Sequence, residues 1–444
     1  MKKFISLQHK IQDFHNKKIS VSGDKSLSIR FVLLSSIAKG QSIAYNLLGS
    51  EDVLHAIKCI RKLGIKIIFK KNKCQVFGKG LWGLRYKHNL KLDTGNSGTA
   101  ARLLTAILID SKHNIKITGD ESLKKRDMLR IINPLQMMGA RFKSKNGKLP
   151  IIIQGSKQLI PIKYYEKLGS AQCKSAIMLA ALKISGKTFL KCLPSRNHTE
   201  LMFKNVLNLP IKLKKLKNHD LIEINGLNNF KSFNYRIPGD ISSASFFIVL
   251  TLLLNKSSLT IKKVNINPSR IGIIKILRMM GAKIKFKNKR IYKGEPTADI
   301  FIISKNKLRS INLNSKLNSS AIDEFLLIFL VAAKCKGVST FTDLGELNKK
   351  ESKRLDWGYK ILKKIGVKVK KIENNGLKIW GNPGLNIDKE IVIKEYLKDH
   401  RVFMVSVIAA LSLGGRWKIY DPESIKTSFP NFLDIVKKLG GKIN

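Results

Sequence analysis

The most regular feature of the chain is a series of six apolar segments, each preceded by a short polar cluster. Each cluster contains Ser, Thr, Asn, Asp or Gly, which is typical of a helix N-terminus, and most of the segments end at Gly. A helix that is apolar on every side must be buried, whereas a polar first turn favours solvent. The pattern predicts six buried helices with solvent-facing N-termini, at 23–40, 95–109, 169–186, 239–254, 320–337 and 399–415.

A second pattern is an amphipathic helix that ends at Gly and leads directly into a strand. It appears as IRKLGIKI, LQMMGARF, ILRMMGAKI, ILKKIGVKV and IVKKLGGKI, with glycines at 64, 139, 281, 366 and 440. A sixth copy, VLNLPIKL, has Pro210 in that place. Glycine suits the left-handed position just beyond a helix C-terminus. Neighbouring copies lie 71 to 85 residues apart, which predicts six units of one supersecondary type.

The segments that lead into the first and fourth apolar helices are similar to each other. ISVSGDKS at 19–26 resembles YRIPGDIS at 235–242, which indicates a duplication into two halves of three units. We expect each half to form a domain, with the N-terminal strand completing the second one. The predicted bounds are 22–235 for the first domain, 1–21 and 236–444 for the second, and 19–24 and 235–240 for the hinges.

Short strand patterns alternate with the helices. Examples are IIIQG at 151–155 and DIFII at 299–303. The fold class is therefore α/β or α+β, with sheets outside and helices inside. The chain contains no GxxxxGK[ST] motif, which argues against the usual P-loop for nucleotide phosphates, and we do not predict a Rossmann fold.

The charge balance is strongly basic. Lys and Arg number 84 against 30 Asp and Glu, a formal net charge of +54, so nucleic-acid binding has to be considered. The lysines, however, are spread along the whole chain, and aromatic residues are not interleaved with them in a stacking motif. We interpret the excess as a solvated lysine-rich surface, with a role in attracting anions as the alternative, and predict no specific nucleic-acid partner.

Several features point to the cytoplasm. The longest apolar runs, at 246–254 and 325–333, are shorter than the roughly 18 residues of a membrane span, so no membrane partner is expected. Gln8, His9 and Lys10 interrupt the N-terminal apolar stretch, which argues against a secretory signal. The five cysteines are scattered without a CxxC pair, and we expect them to be reduced and buried.

The polar first turns can bind anions, because a helix N-terminus presents unpaired N–H groups and a partial positive charge. Four of the six also carry cationic or amide donors: Lys25, Ser26 and Arg30; Asn96, Thr99 and Arg102; Ser170, Gln172 and Lys174; His400 and Arg401. The fifth carries Asp323 and Glu324, where an acid–base role becomes possible. Together these ends predict a cleft between the domains that binds phosphates and carboxylates.

Eight segments in order resemble the motifs of the EPSP synthase family of enolpyruvyl transferases. They are GDKSLSIR, GNSGTAAR, GDESLKKRD, GSAQCKSA, SRNHTE, GELNKKESKR, DHR and KTSFP, and they extend over nearly the whole chain. The resemblance implies two domains of three βαβαββ units each, an inside-out α/β barrel. It also implies transfer of the enolpyruvyl group of phosphoenolpyruvate to the 5-hydroxyl of 3-phosphoshikimate, a step in the shikimate pathway to chorismate and the aromatic amino acids.

The resemblance supplies expected roles for single residues. Those expected to bind 3-phosphoshikimate are Lys25, Ser26, Arg30, Ser170, Ala171, Gln172, Ser195, Arg196, Asp323 and Lys350. Those expected to bind phosphoenolpyruvate are Lys25, Asn96, Gly98, Arg126, Gln172, Arg354, Arg401 and Lys426. Asp323, Glu351 and Lys25 match the family's catalytic residues, with Asp323 at the reacting hydroxyl and Glu351 with Lys25 at C3 of phosphoenolpyruvate.

The chemistry implied by the resemblance needs neither a metal nor a cofactor. Arginines and helix ends would stabilise the charge that develops on substrate oxygens in a closed cleft. Retention of Gly98 predicts sensitivity to glyphosate, and we expect a monomer. The chain departs from the family pattern at positions that are not among the expected contacts, namely Ile29, Asp127, Asn348 and Lys353.

Three alternatives stay open. The sister enzyme that acts on UDP-N-acetylglucosamine shares fold and chemistry but uses a reactive Cys, and the corresponding stretch here, 118–128, has none. A nucleic-acid-binding or RNA-end-processing protein would account for the charge, and its affinity would fall steeply with salt. A catalytically dead relative is disfavoured by the presence of both Asp323 and Glu351.

Overall fold

The chain divides into two compact units in a computed structural model that describes residues 3–156, 158–227, 229–304, 307–373 and 375–444. The first unit comprises Gly23–Ile237 together with Tyr292–Glu295. The second comprises Met1–Ser22, Pro238–Ile291 and Pro296–Asn444. The sequence did not indicate the short segment Tyr292–Glu295, which belongs to the first unit although the strands on either side of it belong to the second.

The strands and helices follow the repeating pattern along the described chain. The strands are β1 Phe4–Leu7, β2 Lys17–Ser20, β3 Lys39–Tyr45, β4 Lys66–Lys70, β5 Lys73–Lys79, β6 Leu90–Asp93, β7 Ile115–Thr118, β8 Arg141–Ser144, β9 Ile151–Gly155, β10 Lys163–Glu166, β11 Lys187–Cys192, β12 Ile211–Lys215, β13 Asp220–Asn225, β14 Asn234–Arg236, β15 Ser258–Asn265, β16 Lys283–Tyr292, β17 Glu295–Ile303, β18 Asn312–Leu313, β19 Gly337–Phe341, β20 Val369–Ile372, β21 Gly376–Gly381, β22 Ile387–Ile393 and β23 Gly414–Tyr420. The α-helices are α1 Lys25–Ser36, α2 Glu51–Lys62, α3 Gly98–Ile107, α4 Glu121–Lys124, α5 Leu129–Met137, α6 Ala171–Ala181, α7 His198–Asn205, α8 Ile241–Leu253, α9 Gly272–Met279, α10 Asn318–Ala321, α11 Phe325–Ala333, α12 Arg354–Lys364, α13 His400–Leu413 and α14 Phe432–Lys438. Short 3₁₀ helices lie at Ser315–Leu317, Gly345–Lys349 and Pro422–Thr427.

Each repeat builds one small sheet, and the described residues form six of them. Their strand orders are β14-β3-β5-β4, β6-β7-β9-β8, β10-β11-β13-β12, β16-β17-β15-β2, β18-β19-β21-β20 and β1-β23-β22. Within a typical sheet the first two strands are parallel, as for β10 and β11, and the last two are antiparallel, as for β12 and β13. The predicted mixed α/β architecture of six βαβαββ repeats is confirmed.

Two strands pair with a sheet of one unit, although the helix that follows each of them belongs to the other unit. β2 immediately precedes α1 of the first unit, yet it pairs in parallel with β15 of the second. β14 precedes α8 of the second unit, yet it pairs in parallel with β3 of the first. These are the two similar segments of the sequence, and each one contributes its strand to one unit and its helix to the other.

The buried helices are those that the apolar pattern predicts. Every residue of α8 and of α11 is buried, and α13 exposes only Arg401 in part. Each unit has its own continuous apolar core, to which α1, α3 and α6 contribute in the first unit and α8, α11 and α13 in the second. No helix of the described residues is long and apolar enough to cross a membrane.

Two local predictions need correction. The fifth apolar helix, predicted at 320–337, is broken: α10 ends at Ala321 and α11 begins at Phe325, with Asp323 and Glu324 in the turn between them. In the copy with Pro210, the left-handed position is taken by Asn208, with φ 50°, two residues earlier. Asn tolerates this conformation better than other residues with a Cβ, so the chain still turns from helix into strand.

Candidate active site

In the first unit, Lys25 opens α1 directly after a buried capping residue. The Asp24 side chain accepts a hydrogen bond from the Leu27 N–H at 2.9 Å, which fixes the start of the helix. The Lys25 ammonium lies 2.8 Å from a carboxylate oxygen of Asp52, in the first turn of α2. Lys25 and Ser26 are both partly exposed, so a ligand can reach the first turn of α1.

One turn further on, Arg30 is held by buried hydroxyl groups. Its Nε donates to Thr199 Oγ1 at 2.8 Å and its Nη2 donates to Ser175 Oγ at 3.0 Å. Its Nη1 donates to the carbonyl oxygen of Ser26 at 3.1 Å. These contacts join α1 to α6 and α7 and fix the guanidinium within the first unit.

Gly98 begins α3 between two guanidinium groups. A Cβ at this position would lie 3.2 Å from Arg102 Nη1 and 3.3 Å from Arg126 Nη1. Arg126 is oriented by Asn96, whose side-chain oxygen accepts a 2.6 Å hydrogen bond from Nη2. The helix start and the two arginines form a compact cationic surface, to which an anion can bind bidentately.

The N-terminus of α6 meets this surface through Gln172. The Gln172 side chain accepts a hydrogen bond from Arg102 and donates one to Thr99 Oγ1 at 2.9 Å. Ser170 caps α6 by accepting from the Cys173 N–H, and Ala171 is the first residue of the helix. The predicted residues Asn96, Gly98, Arg126, Ser170, Ala171 and Gln172 therefore belong to neighbouring elements of one unit.

Ser195 and Arg196 lie on the loop between β11 and α7. The Ser195 hydroxyl is buried and makes no hydrogen bond with any described residue, while Arg196 is partly exposed. The same loop leads into Thr199, which holds Arg30. The loop therefore leads directly to the residue that orients Arg30, which is predicted to bind 3-phosphoshikimate.

In the second unit, the predicted residues converge on Arg354, the first residue of α12. Its Nη1 lies 3.3 Å from Asp323 Oδ1, and its Nη2 forms an ion pair with Glu351. Its Nε donates to Asp399 Oδ2 at 2.9 Å and its Nη2 donates to Asp399 Oδ1 at 3.2 Å. One guanidinium thus joins both predicted catalytic carboxylates to a third carboxylate.

The electrostatics of this cluster keep Arg354 and Asp399 charged. Burial alone would lower the pKa of Arg354, but Asp399, Glu351 and Asp323 raise it above its ordinary value. Burial would likewise raise the pKa of Asp399, yet the pKa is lowered because Arg354 lies against the carboxylate. The Asp399 side chain is fully buried, and the Arg354 side chain is only 2% exposed. The two residues therefore form a buried ion pair. Asp399 Oδ2 also accepts a hydrogen bond from the Ser352 hydroxyl at 2.8 Å.

Three further predicted residues belong to the second unit, and two of them contact Asp323. The Lys350 ammonium is 3.4 Å from Asp323 Oδ1. Arg401, in the first turn of α13, donates to the carbonyl oxygen of Asp323 at 2.7 Å. Lys426 differs from both, because its ammonium pairs with Glu423 and its side chain is 56% exposed. Within the described ranges, no group of three or more His, Cys, Asp and Glu side chains could hold a metal ion.

The two groups of residues suit the recognition of small anions with an adjacent acid–base step. Comparison with known proteins identifies the family. The sequence profile of EPSP synthase (3-phosphoshikimate 1-carboxyvinyltransferase) matches residues 10–436. The chain belongs to the EPSP synthase family.

Relatives of similar length support this membership. A 3-phosphoshikimate 1-carboxyvinyltransferase of Ruthia magnifica subsp. Calyptogena magnifica is 41% identical over 427 residues, covering 96% of each chain. One from Desulforamulus reducens is 39% identical over 425 residues, covering 95% of this chain and 96% of the relative. A solved EPSP synthase structure from Acinetobacter baumannii superposes with a TM-score of 0.86 at 34% identity, covering 99% of each chain. The enolpyruvyl transferase NikO of Streptomyces tendae, at 12% identity and TM-score 0.78 over 100% of this chain and 98% of that one, shares the fold.

Sequence reasoning did not assign roles to several residues of these two groups. Asp399 was seen only as part of the DHR motif, although an Asp directly before an apolar helix is a capping signal, and it does accept from the Arg401 N–H at 2.9 Å. Its ion pair with Arg354 joins residues 45 positions apart, which no local pattern predicts. Asp52, which pairs with Lys25, was missed for the same reason. Arg102 and Glu324 were named as first-turn residues, but their partners Gln172 and Arg401 were not predicted.

Proposed function

We propose that this chain is a 3-phosphoshikimate 1-carboxyvinyltransferase, in agreement with its membership of the EPSP synthase family. It transfers the enolpyruvyl group of phosphoenolpyruvate to the 5-hydroxyl of 3-phosphoshikimate and releases inorganic phosphate. The reaction serves the shikimate pathway to chorismate and the aromatic amino acids. We place the enzyme in the cytoplasm and expect it to act as a monomer.

The observation that carries this proposal is the contact of both Asp323 and Glu351 with the Arg354 guanidinium. Two carboxylates beside one fixed cation can exchange protons with a substrate while the cation holds the substrate's anionic group. Nε and Nη2 of Arg354 each donate a hydrogen bond to Asp399. Because these bonds hold the guanidinium, it keeps its orientation when a ligand competes with Asp323 and Glu351 for the other N–H groups.

The proposed reaction proceeds by addition and elimination. C3 of phosphoenolpyruvate accepts a proton while the 5-hydroxyl loses one and its oxygen bonds to C2, which gives a tetrahedral phospho-ketal. The C–O bond to phosphate then breaks as C3 gives up a proton, and inorganic phosphate leaves. Asp323 takes the hydroxyl proton, and Glu351 with Lys25 handles the protons at C3.

The proposal divides the binding of both substrates among the two groups of residues. For 3-phosphoshikimate the residues are Lys25, Ser26, Arg30, Ser170, Ala171, Gln172, Ser195, Arg196, Asp323 and Lys350. For phosphoenolpyruvate they are Lys25, Asn96, Gly98, Arg126, Gln172, Arg354, Arg401 and Lys426. The contacts of Arg126 with Asn96 and of Gln172 with Arg102 support this division, because they orient donors before a ligand arrives.

The acid–base assignment is tested with Asp323→Asn and Glu351→Gln. Both variants keep the side-chain shape but lose the ability to take a proton, so we expect turnover to fall by roughly 100-fold or more. Binding of each substrate is measured in parallel by titration calorimetry. Near-normal turnover with intact binding in either variant contradicts the role given to that residue.

We also propose that glyphosate inhibits the enzyme at the phosphoenolpyruvate site. Gly98 carries this proposal, because the absence of a side chain leaves the approach to Arg102 and Arg126 open. Inhibition is expected to be competitive with phosphoenolpyruvate. Indifference to millimolar glyphosate contradicts the proposal.

A further inference from the structure

A buried row of polar side chains in the second unit ends at Arg401. Arg270 Nη2 donates to Ser242 Oγ at 3.0 Å, and the Ser242 hydroxyl donates to Glu324 Oε1 at 2.5 Å. The same Glu324 oxygen lies 3.4 Å from Arg401 Nη1. The row connects the first turn of α8, the turn before α11 and the first turn of α13, which belong to three successive repeats.

Glu324 has no access to a substrate in this arrangement. It is 1% exposed, and its Oε1 already faces both the Ser242 hydroxyl and the Arg401 guanidinium. Ser242 and Arg270 are buried as well, at 5% and 3%. A carboxylate this deeply buried is stable only when it is paired and hydrogen-bonded, so the row fixes its position.

Arg401 is the only member of the row that reaches toward solvent. All hydrogen bonds that its side chain makes with the described residues leave from Nη1, to Asp323 O and Glu324 Oε1. Nε and Nη2 therefore remain available, and this edge of a guanidinium can bind a carboxylate with two parallel hydrogen bonds. The contacts at Nη1 determine the direction in which that edge points.

We propose that Glu324 is a positioning residue, which orients Arg401 for binding phosphoenolpyruvate, and that Ser242 and Arg270 hold Glu324 in place. The proposal rests on the proposed function for the identity of the anion. Orientation before binding lowers the entropy lost when the anion binds. The loss of Glu324 then weakens binding of phosphoenolpyruvate more than it slows the chemical step.

The test compares Glu324→Gln with the wild type and with Glu390→Gln, a control in which a half-exposed glutamate of the same unit is changed. Steady-state kinetics are measured with each substrate varied in turn. For Glu324→Gln we expect KM for phosphoenolpyruvate to rise about tenfold, because the amide keeps an acceptor oxygen but loses the negative charge that strengthens the contact with Arg401. KM for 3-phosphoshikimate and kcat should stay within about twofold to threefold of the wild type, and Glu390→Gln should match the wild type.

Direct binding separates this proposal from the proposed function. Titration of phosphoenolpyruvate into each protein, with 3-phosphoshikimate present, needs no turnover. If Glu324→Gln binds phosphoenolpyruvate more weakly than the wild type, the positioning role is supported. This holds even if the wild type releases no phosphate, a result that would refute the proposed activity alone. Equal binding in Glu324→Gln and wild type overturns the positioning role whether or not the enzyme is active.

Ser242→Ala provides a second variant if Glu324→Gln does not fold. It removes the hydroxyl between Arg270 and Glu324 without placing a new polar group in the core. We expect about a threefold rise in KM for phosphoenolpyruvate, with KM for 3-phosphoshikimate unchanged, because one neutral hydrogen bond is lost. An unchanged KM for phosphoenolpyruvate, or an equal rise for both substrates, overturns the proposal.

Discussion

Arg354 is the residue that joins the carboxylates of the candidate site in the second unit. It is buried and touches three carboxylates, of which Asp399 is itself completely buried. Removal of one partner from a buried ion pair leaves an uncompensated charge, which costs more than the pair itself contributes. Stability and activity are therefore linked at this position.

The change Asp399→Asn tests that link. We expect it to lower the free energy of unfolding by about 3–5 kcal/mol, because Arg354 stays buried with its main counter-ion neutralised. The measurement is urea unfolding at pH 7, with Asp388→Asn as an exposed control in the same unit. A loss no larger than that of the control shows that Asp323 and Glu351 compensate the charge without Asp399.

A second residue-scale prediction concerns Gly98. In Gly98→Ala the new Cβ lies 3.2–3.3 Å from the tips of Arg102 and Arg126, so both guanidinium groups must shift by a few tenths of an ångström. We expect KM for phosphoenolpyruvate and the inhibition constant for glyphosate both to rise by about tenfold, since misplaced donors bind an anion less well. The control is Gly384→Ala, at an exposed glycine whose added Cβ would meet only Asn382 Oδ1, at 3.4 Å. Unchanged values for both ligands place the anion away from Gly98.

Single residues show where sequence reasoning succeeds and fails. The polar cluster before the first apolar helix predicts an N-cap there, and the side chain of Asp24 provides it. Asn348, which departs from the family pattern, accepts hydrogen bonds from the N–H groups of Leu355 and Asp356 in the first turn of α12. A local role of this kind can be predicted from the spacing of residues in the sequence. The pairing of Glu324 with Arg401 cannot, because it depends on tertiary packing.

At the scale of elements, the repeat predicts most of the architecture because hydrophobic periodicity and the terminal glycine are local signals. The glycines at 64, 139, 281, 366 and 440 all have positive φ, between 80° and 106°. The break before α11 was missed, because Asp323 and Glu324 do not disrupt the apolar pattern that follows them. That break places both carboxylates in a turn, where one faces Arg354 and the other faces Arg401.

Two of these glycines distinguish backbone strain from steric overlap. At Gly366 an added Cβ meets nothing within 4 Å, so Gly366→Ala should cost only the left-handed strain, about 1 kcal/mol. At Gly139 the Cβ would lie 2.3 Å from the backbone oxygen of Gln158, so Gly139→Ala should cost a further 1–3 kcal/mol or so. Chemical unfolding of both variants measures the difference. If both variants lose the same free energy of unfolding, the backbone near Gln158 moves away from the new Cβ without a measurable loss of stability.

At the scale of the whole molecule, the exchange of β2 and β14 explains why two similar segments occur so far apart in the sequence. Each segment supplies a strand to one unit and a helix to the other, so the chain passes between the units without a separate linker. The similarity of the two segments could be read from the sequence. The place of segment Tyr292–Glu295 in the first unit could not, because its contacts there, such as the buried pair His198–Glu295 at 2.6 Å, join residues far apart in the sequence.

The thiols provide a test of the packing as a whole. All five cysteines are buried, and burial raises the pKa of Cys59, Cys74, Cys173, Cys192 and Cys335 to about 12. At pH 8 almost no thiolate exists, so a thiol reagent should modify none of them in the native protein and all of them in denaturant. Rapid modification of any one in the native state contradicts this packing, and would revive the alternative of an enzyme with a reactive Cys.

We conclude that the chain joins two anionic metabolites by enolpyruvyl transfer. The measurement that tests it most directly is the release of inorganic phosphate from phosphoenolpyruvate by the purified protein, with and without 3-phosphoshikimate. We predict release that requires 3-phosphoshikimate, equals the enolpyruvyl product in amount, and is lost in Asp323→Asn. Release without 3-phosphoshikimate, or no release with both substrates present, would contradict enolpyruvyl transfer as the function of this chain.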